Sequence, residues 1–309
     1  MLQACGLGNF GSTCYLNTII QQLFFDPNFI GFLNQHIQST NPLITSLFDL
    51  ADAYSARDRS RLNTTLRAFL TQVSKDVRSI HVYEQNDIQE VLTILIDKIV
   101  MGSTIPYVPP KPFKGLNEVS VIRFMNRMDA EWKNYHQKIY SPLTPIYHGQ
   151  LVRQLKCTCG HVVHTVEVFT TLILEGKSVE EGLRSFEKDL IHGWSCEKCK
   201  KVHGQIEMVN RITRFPKTLI ICFKDKSQKS VPGTFTFPCH LHMLPAIYTC
   251  QLMSVGCHVG QSQCGHYFAL VRGARGWLQV DDDMVTEASE ARSARSSPYV
   301  LFYNMNMQS

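Results

Sequence analysis

The residue best placed for covalent chemistry is Cys14. It follows Gly6-Leu7-Gly8-Asn9-Phe10-Gly11-Ser12-Thr13 and opens a run whose apolar positions Leu16, Ile19, Ile20 and Leu23 keep helical spacing as far as Asp26-Pro27. The spacing predicts a helix that begins at a cysteine. At a first turn the backbone N–H groups lack intrahelical partners and the macrodipole is positive, which together favour thiolate over thiol. The same N–H groups can face the oxygen of a substrate carbonyl, and the amide of Asn9 can add a second donor to such an oxyanion hole. The glycines also match the nucleotide fingerprint G-x-G-x-x-G, but that motif needs a strand before it and a βαβ unit around it. With five residues ahead of Gly6, no such unit is expected.

A cysteine nucleophile needs a base. Among 12 histidines the best candidate is His266, in Gly265-His266-Tyr267 at the start of an apolar strand, where a hairpin sets a side chain at a sheet rim. Asp281, Asp282 and Asp283 follow the next predicted strand, residues 277–280. An antiparallel hairpin brings an acid at the end of the second strand near the start of the first, so Asp281 can hold the imidazole nitrogen that does not face sulfur. The three aspartates lack the regular alternate acids of a calcium loop.

The elements that must position these groups divide into two textures. A second amphipathic stripe, Ile88, Val91, Leu92, Leu95, Ile96 and Ile99, has a period near 3.6, and residues up to about 105 read as a mainly helical subdomain. After the proline-bearing stretch 106–112 the chain turns to short runs of valine, isoleucine, threonine and aromatics. Strands are predicted at 150–155, 162–170, 218–223, 248–256, 266–272, 277–280 and 299–303, with a serine, alanine and arginine loop at 289–297.

Composition bounds the rest. A chain of 309 residues, 44% hydrophobic, can bury a substantial core. Its net charge of +5 is spread along the sequence apart from groups such as Lys198, Lys200 and Lys201, so no nucleic-acid partner is expected. No apolar run approaches the roughly 18 residues of a membrane span. The N-terminus has no basic stretch followed by an apolar core, although Leu2 to Cys5 loosely mimics a lipoprotein cleavage box. With 11 cysteines, an odd number, the chain is expected to be intracellular, cytoplasmic or nuclear, its cysteines acting as thiols and metal ligands.

Five ordered motifs together resemble the ubiquitin-specific proteases. Gly6 to Thr18 is similar to that family's cysteine box, and Gly265-His266-Tyr267 through Trp277 to Asp282 to its histidine box. Gln85-Asn86-Asp87-Ile88-Gln89-Glu90 resembles its helix-opening Gln-Asp motif, Pro216 to Ile221 its central palm strand, and Tyr299 to Tyr303 its closing strand. The resemblance implies an α+β, papain-related fold in one catalytic domain over 1–309: a helical thumb (about 1–110), β fingers (about 147–212) and a β palm (about 213–305). It implies a deubiquitinase with Cys14 as nucleophile, His266 as base, Asp281 as its orienting acid, Asn9 at the oxyanion position and Asp282 as the acid after the triad. Gln85, Asp87, Gly265 and Tyr267 fall on substrate-binding positions. The chain is expected to act as a monomer on ubiquitin or ubiquitinated proteins; a ubiquitin-like modifier with the same two terminal glycines is the alternative substrate, and a ubiquitin-binding pseudoenzyme the alternative class. Ser12 stands where the family usually has asparagine, and Cys222-Phe223-Lys224-Asp225 replaces His-Leu-Lys-Arg. Such near-site changes are expected to tune tail recognition.

Cys157-Thr158-Cys159 and Cys196-Glu197-Lys198-Cys199 stand where the family often carries a fingertip zinc. Two pairs about 40 residues apart suit a closed, tetrahedral, structural Zn2+. The first pair is one residue shorter than the usual knuckle, and His161 is a substitute ligand. No cofactor is expected for catalysis.

Overall fold

In the computed structural model, residues 3–109, 119–239, 246–261, 264–288 and 297–307 are described. Most of the loop read at 289–297 and the end of the proline-bearing stretch lie outside them. Five helices come first: α1 (Cys14–Phe24), α2 (Pro27–Gln35), α3 (Pro42–Ala56), α4 (Arg59–Asp76) and α5 (Ile88–Gly102). Asp26, Asn41, Asp58 and Asp87 cap α2 to α5, their side chains accepting from first-turn N–H groups. α1 differs. Its N-cap residue, Thr13, makes no side-chain cap, and every residue of the helix is buried. An uncapped helix start is thus held inside the protein, next to the sheet carrying the histidine.

Two further helices, α6 (Val119–His136) and α7 (Thr144–Tyr147), fall where sheet was expected to begin. The signal for α6 is there in retrospect: Met125, Met128 and Trp132, spaced by three and four, are all buried. The remaining elements are β1 (Gly149–Lys156), β2 (Val162–Phe169), β3 (Thr171–Leu174), α8 (Val179–Glu187), β4 (Lys188–Ser195), β5 (Val202–Arg214), β6 (Thr218–Phe223), β7 (Thr234–Cys239), β8 (Ala246–Gln261), β9 (Cys264–Gly273), β10 (Gly276–Asp281), β11 (Met284–Ala288) and β12 (Ser297–Met307). Each of the seven predicted strands is present: β6 has the predicted bounds, β2 ends one residue earlier, and the other five are extended by one to five residues at an end.

The strands form two sheets. One is four-stranded, in the order β2-β1-β5-β4; the other is eight-stranded, in the order β11-β10-β9-β8-β12-β6-β3, with β7 on β8. The central strands of the larger sheet are covered on both faces, which is why β6 reads as an unbroken apolar run. Its period of two decides what each residue meets. Ile220 and Cys222 pack with α1 to α5, whereas Leu219, Ile221 and Phe223 pack on the opposite face with Val179 and Leu183 of α8. In β12, Val300 and Phe302 face the helices, and Leu301 and Tyr303 face away. The fold is α+β, a helical layer against a large sheet with a smaller sheet attached. Among the described residues, no helix is long and apolar enough to cross a membrane.

Candidate active site

Cys14 lies buried at the start of α1, and α1 packs against β9, the strand that carries His266 near its beginning. The β9–β10 hairpin pairs Gly273 with Gly276 and Ala269 with Val280, which sets Asp281 beyond the end of the ladder, beside the start of β9. His266 Nε2 is 2.5 Å from Asp281 Oδ1. That bond leaves Nδ1 to face sulfur. A hydrogen bond with Cys14 is the main reason the imidazolium is favoured; it and the Asp281 carboxylate outweigh partial burial and raise the His266 pKa from 6.5 to about 9. The imidazole is therefore held protonated at neutral pH beside the sulfur, with its second nitrogen tethered.

A second network sits on the other side of Cys14. Asn9 Nδ2 donates to Asp282 Oδ2 at 2.8 Å, while Asn9 Oδ1 accepts from the Thr13 hydroxyl at 3.1 Å and the Thr13 N–H at 3.3 Å. The Thr13 hydroxyl donates to Asn9 and accepts from Phe10 N at 3.2 Å, outside the helix, and it does not cap α1. Asn17 Nδ2 donates to the other oxygen of Asp282, also at 2.8 Å. The Asp282 carbonyl accepts from Leu7 N at 2.7 Å, and its φ of 49° is left-handed, a strained conformation for a non-glycine residue. Gly6 completes the seam, since a Cβ there would lie 2.2 Å from the Asp283 carbonyl oxygen. Asn17 was not singled out from the sequence, although a position three residues after Cys14 shares its helical face.

Between α1, the loop before α5 and β9 lies a cleft of about 320 Å³, lined by Cys14, Gln85, Asp87, Lys226, Gly265 and Tyr267 among others. The four expected substrate-binding residues are thus gathered beside the cysteine. Gln85 Nε2 donates to the Gly265 carbonyl at 3.4 Å, across the cleft. Gly265 has no room for a side chain: a Cβ would meet His258 Nε2 at 2.0 Å and the Val259 carbonyl at 2.8 Å. Ser12 is half-buried beside Cys14. Cys222 is buried, and burial pushes its thiol up to about 12, so it offers no second nucleophile.

The sequence profile of the ubiquitin carboxyl-terminal hydrolases matches residues 5–303, from the cysteine box to the closing strand. The chain belongs to this family. It is 28% identical over 349 aligned residues to ubiquitin carboxyl-terminal hydrolase 21 of Rattus norvegicus, covering 97% of this chain and 61% of the relative. It is 27% identical over 355 residues to the probable ubiquitin carboxyl-terminal hydrolase 4 of Schizosaccharomyces pombe, covering 97% and 58%. The chain therefore spans about 60% of the length of these curated relatives. Among solved structures it is similar to Ubp8 in the SAGA DUB module bound to monoubiquitin, with a TM-score of 0.75, 20% identity, and coverage of 98% of this chain and 69% of that one. At that identity the likeness concerns the fold.

This member of the ubiquitin carboxyl-terminal hydrolase family also gathers its four knuckle cysteines. Cys157 and Cys159 occupy the β1–β2 turn, Cys196 and Cys199 the β4–β5 turn, and all four sulfurs lie within 4.8 Å of one another. Tetrahedral zinc with bonds of about 2.3 Å needs sulfurs about 3.8 Å apart. Cys157 and Cys199 are 3.6 Å apart, and Cys159 and Cys196 are 3.8 Å apart. The donor set fits a structural zinc, and a single residue between Cys157 and Cys159 suffices. His161 is not in the cluster; its carbonyl accepts from Cys157 N at 2.8 Å. The histidine that approaches is His203, whose Nε2 is 3.2 Å from the Cys157 sulfur, a contact that sequence spacing did not single out.

Proposed function

We propose that this chain is a thiol-dependent deubiquitinase, hydrolysing the peptide or isopeptide bond after the C-terminal glycine of ubiquitin. The observation that carries the reading is the His266–Asp281 contact of 2.5 Å, made by an imidazole that also hydrogen-bonds Cys14 at an uncapped helix start.

With the proton already on His266 in the resting pair, the Cys14 sulfur attacks the carbonyl carbon of the terminal glycine. The negative charge moves to the carbonyl oxygen, where the Cys14 N–H and the remaining Asn9 amide hydrogen receive it. Collapse breaks the C–N bond while His266 returns its proton to the leaving lysine amine, leaving a thioester. Water, deprotonated by His266, then attacks the thioester; the sulfur departs and the free carboxylate is released. Asp281 orients the imidazole and favours its charged form. Asp282 acts through Asn9. Gln85, Asp87, Gly265 and Tyr267 line the approach to Cys14 and take the substrate tail. Residues of about 1–110 serve as thumb, 147–212 as fingers and 213–305 as palm, with zinc on the four fingertip cysteines fixing two hairpins. We assign the chain a monomeric state and an intracellular location, cytoplasmic or nuclear; unbridged thiols such as Cys5, Cys222 and Cys250 suit a reducing compartment.

The test is a set of probes carrying an electrophile at the C-terminus of ubiquitin and of ubiquitin-like modifiers ending in two glycines. One covalent adduct with the ubiquitin probe, mapped to Cys14 and missing in Cys14→Ala, is expected. Adducts only with a ubiquitin-like probe would transfer the chemistry to that modifier, and no adduct from folded protein would contradict the mechanism.

A further inference from the structure

Tyr15 and Asn86 have no role in the sequence-based site, yet both line the cleft beside Cys14. Between α4 and α5 the chain runs through residues 77–87, and this loop forms one wall of the cleft with Gln85 and Asp87. Ile80 and Val82 anchor it by burial, whereas His81, Tyr83, Glu84 and Gln85 are exposed. An irregular segment of this kind has no ladder to take its backbone carbonyls. Two side chains do so instead. The Tyr15 hydroxyl donates to the Val82 carbonyl at 2.9 Å. Asn86 Nδ2 donates to the Glu84 carbonyl at 3.0 Å, and to the His81 carbonyl and the Tyr15 hydroxyl at 3.1 Å each.

The carbonyls of His81, Val82 and Glu84 are thus knotted onto a Tyr15–Asn86 pair that is itself hydrogen-bonded. Tyr15 is 1% exposed, and burial raises its pKa well above the ordinary tyrosine value, so its hydroxyl stays a neutral donor. Because Tyr15 follows Cys14 in α1, the knot ties the loop to the first turn of the helix that carries the nucleophile. Gln85 lies between two knotted residues, Glu84 and Asn86, and reaches the Gly265 carbonyl across the cleft at 3.4 Å. Asp87 follows directly and caps α5, accepting from Gln89 N at 2.9 Å. The backbone held by Tyr15 and Asn86 therefore sets the places of both cleft-lining side chains.

We infer that Tyr15 and Asn86 are positioning residues for substrate binding: acting as a pair, they fix the loop that carries Gln85 and Asp87 to the start of α1, so that this wall of the cleft is set before the tail arrives. The inference rests on the deubiquitinase reading and deepens it by naming what holds the tail-binding residues in place. A wall ordered in advance leaves less conformational entropy for the substrate to remove, so the pair acts on KM more than on kcat.

The experiment measures steady-state hydrolysis of a fluorogenic ubiquitin reporter by the wild type, Tyr15→Phe, Asn86→Ala and the double variant, with Asn86→Ser in place of Asn86→Ala should that variant fold poorly. Each single change is expected to raise KM about tenfold while kcat falls by less than about threefold. The double variant should raise KM about as much as the larger single change, because the two residues hold the loop as a unit. Amide hydrogen exchange of the substrate-free proteins should quicken in residues 81–87 and stay as in the wild type along α5. If the wild type cleaves the reporter and folded Tyr15→Phe and Asn86→Ala keep KM within about twofold, or lose only kcat, the inference is overturned alone. Unchanged exchange in residues 81–87 of both variants would overturn it as well, and a double variant whose KM rises by the product of the two single effects would contradict the pair. If the wild type does not cleave the reporter, the deubiquitinase reading falls and this inference with it.

Discussion

Asn9 donates its amide to Asp282 at 2.8 Å, while its carbonyl oxygen is held by Thr13. The orientation of the Asn9 side chain is thus fixed from both ends, and one amide hydrogen is left over. Asp282 accordingly positions a donor and does not touch the reacting atoms, whereas Asp281 contacts the imidazole itself. Asp281→Asn should lower kcat by roughly 10³ to 10⁴-fold, as loss of the orienting acid does in a serine triad. Asp282→Asn should cost less, about the 10²-fold of one oxyanion donor. Steady-state assays on folded variants decide; greater damage in the Asp282 variant would exchange the two roles.

The pH dependence follows from His266. Its pKa is raised to about 9 because its charged form is stabilised, so the imidazolium persists below that value and is lost above it. Since the leaving amine needs that proton, kcat/KM should fall on the alkaline side with a midpoint near pH 9. Asp281→Asn removes one of the stabilising partners and should move the midpoint down. A midpoint that moves up would contradict the assignment.

Chelation of zinc should loosen the smaller sheet before it affects the triad, because the four sulfurs tie the β1–β2 turn to the β4–β5 turn, away from the sheet that carries His266. Elemental analysis should find about one zinc per chain for a four-ligand site. The Trp194 ring lies 5.6 Å from His203, so its fluorescence should report the loss. His203→Ala should weaken zinc affinity by about 10 to 100-fold, the usual effect of removing a partner of a ligand. A folded, active preparation without metal would show that the turns hold by packing alone.

Gly265→Ala should impair the enzyme out of proportion to the added methyl group. The new Cβ would be forced against His258 Nε2 and the Val259 carbonyl, displacing the start of β9 one residue before His266. Overpacking of this kind costs about 1 to 3 kcal/mol. The decline in kcat should exceed the decline in thermal stability of the folded protein; an unchanged kcat would mean that His266 is positioned independently of its neighbour.

Much of this arrangement was legible in the sequence because the groups that matter sit in short contiguous motifs. Cys14 and Asn9 share one stretch, His266 and Asp281 one hairpin, and the alternation in β6 and β12 is written in apolar residues. β4 was not legible, since a strand with nearly every side chain exposed or half-exposed carries no burial period to read. β5 does alternate, but its polar inward positions, such as His203 and Asn210, hide the pattern. Lys226 and His203 were missed for a different reason: each acquires its partner only through tertiary contact, Lys226 with Asp87 from another element and His203 with Cys157 across paired strands. The start of α8 had a signal that went unread, Ser178 three residues before Glu181, whose N–H the Ser178 hydroxyl caps at 3.1 Å.

The central claim is that the Cys14 sulfur carries the reaction, and the most direct measurement is the hydrolysis of a ubiquitin reporter by Cys14→Ala beside the wild type, with ubiquitin binding measured on both. Loss of turnover to background with binding retained is predicted, because the sulfur is needed for the thioester and contributes little to an interface made elsewhere. Individual serine replacements of the other cysteines, in variants that remain folded, should not cause an equal loss of rate. Turnover retained by folded Cys14→Ala would contradict the account.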